Sequence, residues 1–240
     1  MEDTVTETTV LVAIDGPAGS GKSSVSRAAA DRLGFGILDT GAAYRSLAWA
    51  AGETGADLDD EASMLAVMDR WSYQTTLLGD QRIGVLLNDG AEYKTYDITA
   101  AIRTPEVSGQ VSRVSKHASV RVRLNEMFRQ IVAESGLPGV VIEGRDITTV
   151  VAPDAPVRIL MTASPEVRAT RRAGELPGMS HEQVLADINA RDMKDAKVVD
   201  FLNPAPGVTL IDTSDMNFEQ SIQAVIDTVD AARTTRSSTE

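Results

Sequence analysis

Gly16-Pro17-Ala18-Gly19-Ser20-Gly21-Lys22-Ser23 is the stretch that decides the reading of this chain. It follows an apolar run, Val10 to Ile14, closed by Asp15, and precedes an Ala-rich helical stretch from Ser24 to Leu33. Strand, Gly-rich turn and helix come in the order a phosphate-binding P-loop requires, with Gly16, Gly21, Lys22 and the Ser23 hydroxyl at full motif spacing. Glycines let backbone N–H groups approach phosphate oxygens where a Cβ would intrude. The helix that follows presents its positive end to the same anion. Lys22 is placed for the β- and γ-phosphates and Ser23 for Mg²⁺, so the motif implies use of a nucleoside triphosphate. An ordinary Gly-rich turn is the competing reading, and the complete spacing and flanks speak against it.

Composition narrows the class. The chain has 240 residues, 42% hydrophobic and none cysteine. That length suits one large core or two small ones. Disulfides, thiolate metal sites and Cys nucleophiles are excluded. No apolar run approaches the roughly 20 residues of a membrane span, and Met1 to Thr9 lacks the basic start and apolar centre of a signal peptide. A cytoplasmic monomer is expected. The net charge of −12 disfavours nucleic acid and anionic membranes as partners, so positive charge for a phosphate substrate must be gathered locally. Most of the 23 basic residues are arginine, which suits forked recognition of phosphate.

Periodicity predicts an α/β fold. Val10 to Ile14, Phe35 to Leu38, Val140 to Ile142, Val157 to Thr162 and Gly207 to Ile211 read as five buried parallel strands. The intervening helices run Gly21 to Leu33, Asp39 to Ala51, Asp59 to Arg70, Pro105 to Ser135 as one long helix, Pro165 to Ala173, Ser180 to Lys194 and Asn217 to Ala232. Trp71 to Leu78, Arg82 to Asn88 and Ala91 to Tyr96 read instead as short antiparallel strands, an insertion on the α/β core. Residues 1–9 and 233–240 read as flexible ends. In such sheets the ligand lies beyond the carboxyl ends of the strands. Three clusters fall there: the P-loop, Asp39 to Arg45, and Glu143-Gly144-Arg145-Asp146.

The segments GPAGSGKSS, LDTGAAYR, IRTPEVS, Val120-Arg121, EGRDITTVVAPDAPV, RATRR and INARDMKD occur in the order found in bacterial cytidylate kinases. The chain resembles that family, within the P-loop nucleoside monophosphate kinases, from about Val10 to Val229. The resemblance implies a three-layer fold with a five-stranded parallel sheet, a core of residues 10–52, 106–163 and 196–232, a CMP-binding insertion at about 53–105 and a helical lid at about 164–195. It implies phosphoryl transfer from ATP to CMP or dCMP with Mg²⁺.

Residue by residue, the resemblance implies that Gly16, Pro17, Ala18, Gly19, Ser20, Gly21, Lys22, Ser23 and Ser24 form the ATP phosphate loop. Thr40, Tyr44, Arg45 and Arg145 would surround the CMP phosphate. Ser112, Arg121 and Asp146 would read the cytosine edge, and Arg191 and Asp195 would lie near the sugar. Arg168, Arg171 and Arg172, spaced along one helix, would be lid arginines closing on the transferring group. Asp15 and Glu143 are candidates for holding Mg²⁺ waters. The acceptor is an ionised phosphate, so no general base is assigned. His117 and His181 are expected at the surface.

Three departures stand out. Val198, beside Lys197, occupies a usual arginine position. Thr148 stands where the family has glycine, and would be strained if that position needs positive φ. The stretch from Arg172 to Ile188 is a few residues short. Rival readings are another small-molecule P-loop kinase, such as one acting on another nucleoside monophosphate or on shikimate, a GTP switch and a non-catalytic nucleotide-binding regulator. An Asn-Lys-x-Asp guanine-reading segment is missing, which weighs against the switch.

Overall fold

The computed structural model describes residues 9–88, 92–175, 179–195 and 203–237; of Glu175, Arg191, Lys194, Asp195 and residues 235–237 it describes the backbone alone. The chain forms two compact units, one ending at Ile37 and resuming at Val132, the other spanning Leu38–Ile131.

Chain order begins with β1 (Val10–Asp15), α1 (Lys22–Leu33), β2 (Gly36–Asp39), α2 (Thr40–Thr54) and α3 (Glu61–Met68). Then come β3 (Trp71–Thr75), β4 (Ile83–Asn88), β5 (Tyr93–Asp97), α4 (Pro105–Gly109), α5 (Val111–Ser115) and α6 (Ala118–Ala133). The last part is β6 (Gly139–Gly144), β7 (Val157–Thr162), α7 (Pro165–Glu175), α8 (His181–Asp195), β8 (Thr209–Asp212) and α9 (Phe218–Ser237).

Five strands make one parallel sheet in the order β2-β6-β1-β7-β8. Central β1 pairs with β6 from Val10↔Gly139 to Asp15↔Gly144, and with β7 from Val12↔Val157 to Asp15↔Leu160. Asp15, Gly144 and Leu160 therefore lie abreast at the carboxyl edge, where the P-loop begins. Val12, Ile14, Val141, Ile159 and Met161 bury against Val25 and Ala29 of α1 and Ile222, Val225 and Val229 of α9. Helix α9 runs on to Ser237, so residues 233–237, expected as a frayed tail, continue the helix.

The second unit carries the small antiparallel sheet, order β3-β4-β5. Period-2 patterning holds there: Trp71 and Tyr73 face Leu87 and Val85 across the ladder, all buried. Trp71 Nε1 donates to Ser46 Oγ of α2 at 3.1 Å, fastening sheet to helix. Burial pushes the Tyr73 hydroxyl pKa up from its ordinary value.

Three expectations need correction. The stretch predicted as one helix from Pro105 to Ser135 is three, because the apolar stripe carries no record of the bends at Gln110 and at Lys116-His117. At the second bend the His117 ring, buried and not at the surface, meets the Leu58 carbonyl at 2.9 Å. Helix α2 also passes through Gly52, predicted as loop, and stops at Gly55, whose φ of 64° and N–H bonds to Ala51 and Gly52 carbonyls form its C-cap. Among the described residues, no helix is long and apolar enough to cross a membrane.

At the base of β6, a Cβ on Gly139 would stand 2.5 Å from the Phe35 ring. Gly139→Ala is expected to destabilise the protein by about 1–3 kcal/mol, read as a lower urea midpoint with unchanged m-value.

Candidate functional site

The loop between β1 and α1 is shaped from behind. A Cβ at Gly16 would run into the Met161 carbonyl of β7, and one at Gly19, with φ 77°, would lie 2.8 Å from the Arg168 carbonyl. Neighbouring backbone therefore demands these two glycines, a reason independent of any phosphate on the other side. Gly21, with φ 85°, stands at the N-cap of α1 and offers no side-chain cap.

Lys22 and Ser23 begin α1 and converge on one acid. Lys22 Nζ lies 2.5 Å from Glu143 Oε2, and Ser23 Oγ donates to the same oxygen at 2.8 Å. Glu143 is 3% exposed, near the end of β6, so the lysine beside it offsets the desolvation of its carboxylate. A hydroxyl and a carboxylate oxygen side by side form a hard-oxygen donor pair of the kind Mg²⁺ accepts. Three or more His, Cys, Asp or Glu side chains do not cluster as a metal site among the described residues.

Asp15 does something other than expected. Its buried carboxylate accepts from Ile147 N and Thr148 N, each at 2.8 Å, and from Thr148 Oγ1 at 2.6 Å. Those three bonds seat a π-helical turn, Ile147–Val151, that follows Asp146 and that the sequence reading missed. These three bonds make Asp15 a structural anchor of the carboxyl edge. Thr148 is unstrained: among the described residues no non-glycine has positive φ.

The arginines are also differently employed. Arg145 Nη1 donates to the Gly16 carbonyl. Arg168, 5% exposed, donates from Nε to Ala163 O at 3.1 Å, and from Nη1 to Ala18 O at 3.1 Å and Asp192 Oδ2 at 2.5 Å. Arg171 donates to Ser20 O at 3.1 Å, Thr213 Oγ1 at 2.9 Å and Thr213 O at 2.8 Å. Burial lowers the Arg171 pKa from its ordinary value. Two of the three α7 arginines thus bind carbonyls of the P-loop; Arg172 is exposed. Thr213, 1% exposed, belongs to no motif, and nothing in the sequence marked it.

In the second unit, Asp39 caps α2 by accepting Ala42 N–H at 3.0 Å. Its other oxygen takes Arg45 Nη2 at 2.8 Å, while Arg45 Nε is buried without a hydrogen bond among the described residues. Thr40 is buried in the first turn, and the Tyr44 ring lies 6.4 Å from Phe128 of α6. Ser112 is exposed on α5 and Arg121 partly exposed on α6. In the first unit Asp146 is half-buried, immediately before the π-helical turn. Arg191 and Asp195 lie on α8 with side chains outside the described set, and Lys197 and Val198 lie outside the described residues altogether. His181 is exposed.

Comparison with known proteins adds a consistent set of relatives. The family profile described as "Cytidylate kinase" matches residues 12–231. A protein named cytidylate kinase from Cutibacterium acnes is 42% identical over 92% of this chain and 96% of its own. One of the same name from Mycobacterium leprae is 43% identical over 92% of this chain and 96% of its own. A solved structure of an uncharacterized protein from Eubacterium ventriosum shares the fold alone, with TM-score 0.51 and 12% identity, over 92% of this chain and 99% of that one.

Thr148→Val keeps the shape of the side chain and removes its bond to the Asp15 carboxylate. It is expected to cost about 1.5–3 kcal/mol in urea unfolding, whereas Thr149→Val, at an exposed neighbour, leaves stability unchanged.

Proposed function

The chain belongs to the cytidylate kinase family, and from that premise we propose that it carries the γ-phosphoryl group of ATP to CMP or dCMP, yielding ADP and CDP or dCDP. The observation that carries the reading is the span of the match: residues 12–231 include the P-loop, the Asp39 to Arg45 cluster and Glu143 to Asp146.

Phosphoryl transfer needs little covalent work from a protein; it needs positioning and charge neutralisation. We assign the P-loop amides and Lys22 to the ATP phosphates. The Ser23 hydroxyl and Glu143, the latter through water, are the residues that would hold Mg²⁺. When bound, that ion supplies neutralisation of the β- and γ-oxygens. Lys22 would exchange its bond to Glu143 for phosphate oxygen, a short movement for a flexible ammonium. Thr40, Tyr44, Arg45 and Arg145 are assigned to the acceptor phosphate, and Arg191 and Asp195 to its sugar. Arg172 is the α7 arginine assigned to the transferring group. The acceptor oxygen is already ionised, so no residue is needed to remove a proton.

Base choice follows from hydrogen-bond inventory. Cytosine offers an amino donor and the N3 and O2 acceptors. Asp146 is assigned the amine, and Ser112 and Arg121 the acceptors. Uracil would set a carbonyl against the Asp146 carboxylate, a mismatch of about 1–3 kcal/mol.

The test is ADP formation from ATP–Mg²⁺ with CMP, dCMP, UMP, AMP or shikimate as acceptor. Turnover confined to CMP and dCMP is expected; its absence with both would defeat the proposal. Asp146→Ala is expected to raise the CMP KM about ten- to a hundredfold with ATP binding nearly unchanged. An equal loss for both nucleotides would move Asp146 to the metal. Lys22→Ala is expected to lower turnover at least about a hundredfold with the fold intact by circular dichroism.

A further inference from the structure

Three arginines grip the phosphate loop at alternate residues: Arg145 on the Gly16 carbonyl, Arg168 on that of Ala18 and Arg171 on that of Ser20. The spacing has a stereochemical consequence. In a trans peptide the C=O of one residue and the N–H of the next point in opposite directions. Drawing the Ala18 carbonyl toward α7 turns the Gly19 N–H away from it, and drawing in the Ser20 carbonyl does the same for the Gly21 N–H. Pro17 has no N–H, so the Gly16 peptide contributes its carbonyl alone. The arginines thereby set which way the loop's amides face.

The middle arginine depends on a charged side chain of its own. Arg171 is held by carbonyls and the Thr213 hydroxyl. The Arg168 guanidinium is held by the Ala163 carbonyl on one side and by Asp192 of α8 on the other. Its Nη1 serves both Asp192 and Ala18, so the carboxylate determines where the nitrogen that meets the loop can stand. Both partners are almost wholly buried, Arg168 at 5% and Asp192 at 7% exposure. Among the described residues Asp192 Oδ1 has no hydrogen-bond partner, and the carboxylate engages the arginine through its other oxygen. The helices carrying the pair are locked together by Ala169, Val184 and Ile188, so Asp192 arrives on a packed element.

We propose that Asp192 is a positioning residue for ATP: it holds Arg168 on the Ala18 carbonyl and so keeps the Gly19 amide directed at the nucleotide phosphates. The proposal rests on the P-loop being the ATP site. It gives Arg168 a role behind the loop and gives α8 a part in donor binding.

Asp192→Asn keeps the shape and one carbonyl oxygen and removes the charge. Arg168→Lys keeps the charge and removes the fork that reaches three acceptors at once. Each variant would be titrated with a non-hydrolysable ATP analogue by calorimetry, with KM for ATP and for CMP, kcat and thermal midpoint measured beside it. Expected is analogue affinity weakened about tenfold in both, CMP KM within about twofold, and no further loss in the double variant, because the two act as one unit. Unchanged analogue affinity in Arg168→Lys overturns the proposal even if Asp192→Asn does not fold. So does an equal loss for ATP and CMP accompanied by a matching fall in thermal midpoint, the sign of a merely structural pair. Failure of the unaltered protein to bind the analogue would instead overturn the reading of the P-loop as an ATP site.

Discussion

A single buried carboxylate organises the carboxyl edge of the sheet. Asp15 ends the central strand, and its oxygens accept three bonds from Ile147 and Thr148. The segment Glu143 to Asp146, which leaves the neighbouring strand, is thus tied to the residue from which the P-loop departs. That tie works beside the bonds of Lys22 and Ser23 to Glu143 and of Arg145 to the Gly16 carbonyl, which join the same two segments farther out. A charge out of water is tolerable only when its hydrogen-bonding capacity is met, and two amides and a hydroxyl meet it here. Thr148 belongs to this arrangement. The residue that looked like a flaw in the family pattern supplies the shortest of the three bonds.

Around that anchor the loop is built from two sides with different chemistry. Behind it, arginines take carbonyl oxygens, and β7 and α7 press so near that Gly16 and Gly19 have no room for a side chain. In front, Lys22 and Ser23 meet at Glu143. The first set fixes geometry through donors that are already matched. The second is a small group of polar atoms able to change partners. Rigidity and exchange are therefore divided between different residues, which allows an accurate site with movable charge.

Much of this was legible in the chain. The P-loop was readable because its function imposes a spacing, and five strands because buried parallel strands are continuously apolar. The three-helix course from Pro105 to Ala133 was not, because helix-like spacing of apolar residues such as Val107, Val111 and Val114 runs on through the bend at Gln110, and the bend at His117 is marked only by a tertiary contact, that of its ring with the Leu58 carbonyl. The π-helical turn was hidden for the same reason: its cause, Asp15, lies far away in sequence. For the site, identity was easier to read than employment. The spacing of Arg168, Arg171 and Arg172 placed them on one helix, yet nothing in a sequence says whether an arginine faces a phosphate or the carbonyl beneath it.

The start of α1 has one further consequence. A helix of this length ordinarily begins with a side chain that accepts from its first amides, worth about 1 kcal/mol. Here the position belongs to Gly21, whose φ of 85° also bars the usual capping residues from adopting this backbone comfortably. The helix that carries Lys22 and Ser23 therefore enters the folded state without the stabilisation a capped helix would have. Efforts to raise the thermal stability of this protein should look elsewhere, since a better-finished helix at this point would be a worse receptor for an anion. The fold is least self-sufficient where it has most to bind.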